Sequence, residues 1–169
     1  MSVFENTTMI QQKKTPMRWA VEIVVLFAAI CLTIAMILLF VSPLIFFLPT
    51  VLLFVAFYFI HKYNYIEYEY TWIEGQLDVD RIYAKSRRKS VAKIDMEDLI
   101  IIAPEGSREV SNYERDSTVT CRDCSTRLPE NKKYEAIYKD TKGTYRILFE
   151  PDENILDLIS VRNPRKVVK

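Results

Sequence analysis

Glycine is nearly absent: Gly75, Gly106 and Gly143 are the only three among 169 residues. A loop that cradles phosphate with backbone N–H groups needs clustered glycines, and three so far apart cannot build one. Histidine occurs once, at His61, and the acidic residues show no metal-ligand spacing of the EF-hand kind. No Ser/His/Asp set can therefore be assembled beyond it, and the chain reads as a non-enzyme with no implied cofactor. Net charge is small as well. It is +1 overall and −1 from residue 64 onward, where 19 Lys and Arg face 20 Asp and Glu. No basic field argues for nucleic acid as a partner.

Charge is missing altogether from residues 23–60, thirty-eight in a row, and the one turn-like pair inside them is Ser42-Pro43. As one straight helix the run would measure ~57 Å, about twice the ~30 Å hydrocarbon thickness of a bilayer. It is expected to fold back as a transmembrane hairpin at residues 23–62, with spans at 23–41 and 44–60. A cleavable secretory signal would have an apolar core of ~7–15 residues and a small-residue cleavage site. This run continues past that length, so the segment is expected to be kept. Pro49 would leave the carbonyl of Ile45 without its helical donor, which predicts a kink or a late helix start. No charged side chain lies within either span, which removes the usual mark of an ion pathway.

Lys13, Lys14 and Arg18 precede the first span and Lys62 follows the second, whereas the turn between them is uncharged. Positive flanks stay inside, so both termini and everything after the hairpin are assigned to the cytoplasmic side of the cell membrane. Residues 1–22 are then a cytoplasmic N-terminal segment and residues 63–169 a cytoplasmic domain. Trp19 at one edge and Tyr58, Tyr63 and Tyr65 at the other suit the belt of aromatics at headgroup level.

The cytoplasmic part alternates like β-structure. Ile66, Tyr68, Tyr70 and Trp72 share one face of a strand, Glu74-Gly75 supplies a turn, and Leu77 and Val79 alternate with Asp78 and Asp80. Further strands are expected at residues 91–94, 99–103, 118–121, 134–138 and 145–149, with an irregular loop at 105–133. Pro151, Asp152 and Glu153 announce a helix at about 152–162, which Asn163-Pro164 ends. About seven antiparallel strands capped by a C-terminal helix is the element order of a pleckstrin-homology-like (PH-like) split barrel.

Two spans followed by YIEYEYTWIEGQLDVDRIYAKSRRKSVAKIDMEDLIIIAPEGS resemble an uncharacterised family of small two-span membrane proteins, mainly from Gram-positive bacteria. More loosely, the chain resembles bacterial membrane proteins that carry a PH-like domain after a transmembrane hairpin. The resemblance implies location and fold, with no reaction and no site residues attached.

Candidate chemistry is thin. Cys121 and Cys124 form C-R-D-C, which could be half a zinc site, a redox dithiol or two incidental thiols. Cys31 falls in the first span, so a four-ligand site would need both thiols from two chains of a homo-oligomer. Lys85, Arg87, Arg88 and Lys89 are the densest basic cluster, readable either as contacts to anionic lipid headgroups or as a solvated turn. Glu67 and Glu69 share a strand face and read as solvated. The C-terminal Arg162, Arg165, Lys166 and Lys169 read as a frayed tail. The leading expectation is a non-catalytic interaction or scaffold module held at the inner leaflet. It would recruit protein partners by a strand edge or the long loop. The alternatives are a thiol or zinc sensor and a structural subunit of a larger membrane complex.

Overall fold

The computed structural model describes residues 5–38 and 43–169, which divide into two compact units: Lys14–Ile66, and Glu67–Lys169 together with the chain up to Lys13.

The first unit holds two helices packed on each other, α1 (Pro16–Leu38) and α2 (Pro43–Tyr63). Both begin at a proline, whose missing N–H costs nothing in the first helical turn. Each also starts earlier than the expected spans, because α1 takes in Arg18 and Glu22 ahead of the uncharged run. Of the expected break, Ser42 lies outside the described residues and Pro43 opens α2. Among the described residues one helix, Pro16–Ala35, is long and apolar enough to cross a membrane, and Phe47–Tyr63 is a shorter apolar run. Large apolar side chains point outward from both, among them Phe27, Ile37, Phe47 and Leu48. Where the helix ends meet, the buried carboxylate of Glu22 takes Lys14 Nζ at 2.9 and 3.0 Å and Asn64 Nδ2 at 2.7 Å, with His61 Nδ1 at 3.3 Å.

Among the described residues the second unit contains eight strands in two four-stranded sheets, where seven in a split barrel were expected. The additional strand is β1 (Glu5–Gln11), from the segment that the sequence left outside the domain. It pairs antiparallel with β2 (Ile66–Ile73), Thr8 opposite Tyr70, and the sheet continues through β3 (Gln76–Tyr83) to β4 (Arg87–Asp95). Glu74 and Gly75, both at positive φ, make the two-residue turn between β2 and β3. Gly75 is favoured by its φ of +101°, and a Cβ there would also press on the exposed guanidinium of Arg162 at 3.2 Å.

The second sheet runs β5 (Leu99–Pro104), β7 (Tyr134–Asp140), β8 (Gly143–Phe149), β6 (Thr120–Asp123). The strands are not all antiparallel, because β6 lies parallel to β8. The stretch 105–133 is more ordered than its polar composition suggested, holding β6 and a short helix α3 (Ser111–Arg115). Two open sheets stand in place of a closed barrel. Their core includes Tyr68, Tyr70 and Leu77 from the first sheet and Ile102, Ile137 and Phe149 from the second, and Tyr70 meets Phe149 edge to face at 5.6 Å.

The C-terminal helix α4 (Glu153–Arg162) is capped by Asp152, whose Oδ1 accepts from Ile155 N, and it buries Ile155, Leu156 and Ile159. The tail after it is no frayed end: Ile102 N donates to Lys166 O at 2.7 Å, and Val168 N to Ile102 O at 2.8 Å, along the edge of β5.

Glu135 on β7 is fully buried. Its Oε1 accepts from Arg146 Nη1 at 2.8 Å, Oε2 has no hydrogen-bond partner, and Glu114 Oε1 lies 3.8 Å from the same Arg146 nitrogen, beside the Glu135 carboxyl. Burial, with Glu114 adding repulsion, pushes the Glu135 carboxyl up to about 7, against the pull of Arg146. A carboxyl held above its unfolded value of 4.5 binds its proton more tightly in the folded state, so stability falls as pH rises from there to about 7. Denaturant unfolding followed by tryptophan fluorescence should show this decline, and Glu135→Gln should flatten it; equal slopes in both proteins would refute the assignment.

Candidate functional site

Cys121 lies within β6 and Cys124 directly after it, in unlike settings. The Cys121 side chain is exposed, whereas Cys124 is fully buried with its N–H bonded to Leu148 O at 2.8 Å. Burial pushes the Cys124 thiol up to about 12, with Arg81 and Arg122 pulling the other way. Thiolate chemistry wants the opposite environment. Among the described residues no group of three His, Cys, Asp or Glu is placed to hold a metal ion.

Around Cys124 the chain forms a polar knot. Asp123 accepts from Ser125 N at 3.0 Å, Ser125 Oγ at 2.7 Å and Arg127 Nε at 2.7 Å. These bonds hold its carboxyl below the usual range although burial acts against them. The buried Glu150 accepts from Thr126 N at 2.9 Å, Thr126 Oγ1 at 2.7 Å and Asn131 Nδ2 at 2.8 Å. The phenols of Tyr68 and Tyr70 donate to the carbonyls of Asp123 and Cys124 at 3.1 and 2.6 Å. Desolvation pushes the Tyr68 phenol up to about 12 and raises that of Tyr70 further. Leaving β1, Gln12 Nε2 donates to Ser125 O at 3.2 Å and Lys13 N to Thr126 O at 2.9 Å. The knot therefore joins β1 and β2 of one sheet to the β6 end of the other. Its groups are turned on one another, so it fastens structure and offers no nucleophile paired with a base.

The basic cluster divides between turn and strand. Ala84 and Lys85, both at positive φ, make the turn, and Arg87, Arg88 and Lys89 begin β4. Arg88 is paired although its side chain is exposed: its Nη2 lies 2.5 Å from the buried Glu69 Oε2 and its Nη1 3.6 Å from Asp80. Glu69 is buried rather than solvated, although Glu67 and Thr71 on the same face of β2 are half-buried and Ile73 is exposed. Sequence alternation showed Glu67 and Glu69 on one face but could not show which pieces of chain lie against it. Arg87 and Lys89 are exposed too and point their charge at solvent. Arg81 was not singled out in the sequence; it stacks over the Tyr68 ring at 5.0 Å.

At another end of the domain, Glu74, Asp95, Glu97, Arg162, Asn163 and Lys166 help to line an open groove of about 680 Å³. Lys166 Nζ is occupied there by the carbonyl of Met96 at 2.7 Å.

Replacing Arg88 by alanine leaves a buried carboxylate without its cation, so Arg88→Ala should destabilise the domain by ~2 kcal/mol, and Arg87→Ala by little. Urea unfolding measures both, and equal effects would refute the pairing of Arg88 with the buried Glu69. In the folded protein a thiol reagent should modify Cys121 quickly and Cys124 only at the rate of unfolding; fast labelling of Cys124 would contradict its burial.

Comparison with curated proteins and with solved structures gave no match. A family profile described as "Bacterial PH-like domain (DUF6106)" matches residues 6–169, a span that runs from β1 through both helices to the last residue. Two sheets, a C-terminal helix and that match agree, and the chain belongs to this bacterial PH-like domain family.

Proposed function

We propose that the chain is a two-span membrane protein whose PH-like domain lies on the cytoplasmic side and acts as a non-catalytic interaction module at the inner leaflet. One observation carries the reading. The strand before α1 and the strand after α2 are neighbours in one sheet, so the apolar excursion between them has to return to the side it left. A pair of crossings satisfies that condition and a single crossing does not. The outward apolar side chains of α1 and α2 support the reading, since water solvates such a surface poorly and lipid solvates it well. Lys13, Lys14, Arg18 and Lys62 at the two ends support the cytoplasmic assignment.

The function follows from position. A tethered domain meets other membrane components at a raised local concentration, so weak contacts suffice to recruit them. Arg87 and Lys89 supply cations that anionic headgroups would attract at ~1 kcal/mol each. The protein partners are further components of the same membrane.

The exposed Cys121 gives a direct test of sidedness. In a Cys31→Ser background, a membrane-impermeant maleimide should label Cys121 in inverted vesicles and leave it untouched in intact cells. Labelling in intact cells would overturn the cytoplasmic assignment, and release of the chain by alkaline carbonate without detergent would overturn the crossings.

A further inference from the structure

We infer that the outer edge of β1 is an interface between two copies of this chain, which pair β1 antiparallel to β1 so that two four-stranded sheets become one of eight strands. This stands on the sheet edges and is independent of whether the helices cross a bilayer.

Two sheets present four edges, and three are closed to a second copy. The edge of β5 is taken by the C-terminal tail, through Ile102 N to Lys166 O and Val168 N to Ile102 O. The edge strand β6 is only four residues long, and Arg122 from it donates to the carbonyl of Val91, which also occupies the edge of β4 at that point. The free beginning of β4 reads Arg87, Arg88, Lys89. An antiparallel self-pairing sets a strand against its own reversed sequence, so β4 would place cation against cation across ~5 Å. Charge on an edge is the usual protection against such pairing.

Apart from Glu5 at its first position, β1 has no such protection. Residues 6–11 are Asn, Thr, Thr, Met, Ile and Gln, without a charge or a proline, and nothing among the described residues pairs with the side of β1 away from β2. None of these six side chains is buried, although β2 beside them buries Ile66, Tyr68, Tyr70 and Trp72. Met9 is 61% exposed in a strand whose alternate residues are half-buried. A second copy of β1 supplies the missing neighbours: hydrogen-bonding groups for the open edge, and side chains of the same polarity beside Thr7 and Met9. A two-fold axis makes the contact self-complementary and closes it at two copies, because each copy has one such edge.

The test uses the full-length chain in detergent, its mass read by native mass spectrometry and light scattering across a wide concentration range. The unmodified chain should be a dimer that dissociates on dilution. Thr7→Lys/Met9→Lys and Thr7→Glu/Met9→Glu, both at exposed positions, should each be monomeric, and an equimolar mixture of the two should restore a dimer containing one of each. A monomeric unmodified chain, a lysine variant as dimeric as the unmodified chain, or a mixture that stays monomeric overturns the inference. Amide exchange of residues 6–11 in the unmodified chain needs no substitution: protection should rise with protein concentration, and exchange independent of concentration also overturns it.

Discussion

The antiparallel pairing of β1 with β2 is the constraint on which the rest of this structure depends, because it joins two pieces of chain separated by the whole helical hairpin. Closing a flexible loop of that length costs about 3–4 kcal/mol in chain entropy. Two packed helices remove most of that cost, since a hairpin brings its own ends together. Glu22 secures them: Lys14 comes from ahead of α1 and Asn64 from beyond α2, and both donate to its carboxylate. With the ends held, β1 and β2 meet as nearly local partners. The hairpin is thus an insertion within the PH-like domain rather than an anchor placed before it.

Inside the domain the sheets are joined by burying polar groups in matched sets. Tyr68 and Tyr70 each put a ring in the core and a hydroxyl on a carbonyl of the Asp123–Cys124 turn. Glu150 closes that turn from the β8 end with three bonds, and Gln12 reaches it from β1. Such a network specifies geometry because every member depends on the others being in place. Glu69 with Arg88 and Glu135 with Arg146 follow the same logic less completely, since Glu69 Oε2 is held by an ion pair alone and Glu135 Oε2 by no hydrogen bond. The stability of the domain is therefore bound to its charge state to an extent that its near-zero net charge conceals.

The element order from β2 to α4 was legible in the residues. Alternation marked β2, β3, β7 and β8, Glu74-Gly75 marked a turn, and Asp152 marked a helix start; each depends on a few neighbouring residues and on the period of side-chain direction. The apolar helices were legible for the same reason. β1 was not, because Asn6 to Gln11 is polar and half-exposed, and an edge strand with one neighbour needs no core-facing stripe. The parallel placement of β6 was hidden too, since local sequence carries no record of which strand lies alongside. The same holds for the candidate sites: Cys121 and Cys124 look equivalent in a string, and so do Arg87 and Arg88. Packing separates them, burying Cys124 and turning Arg88 toward Glu69.

Sequence alone determined that this protein has an apolar double helix and a β-rich, sparsely glycinated domain ending in an amphipathic helix, because periodicity and the absence of charge are properties of contiguous residues. Tertiary structure alone decided that the N-terminal segment completes the sheet, that the two sheets stay open rather than closing into a barrel, and which charges are spent inside. Those outcomes rest on contacts between residues far apart in the chain, where partners are chosen by the burial and hydrogen bonding of the assembled fold.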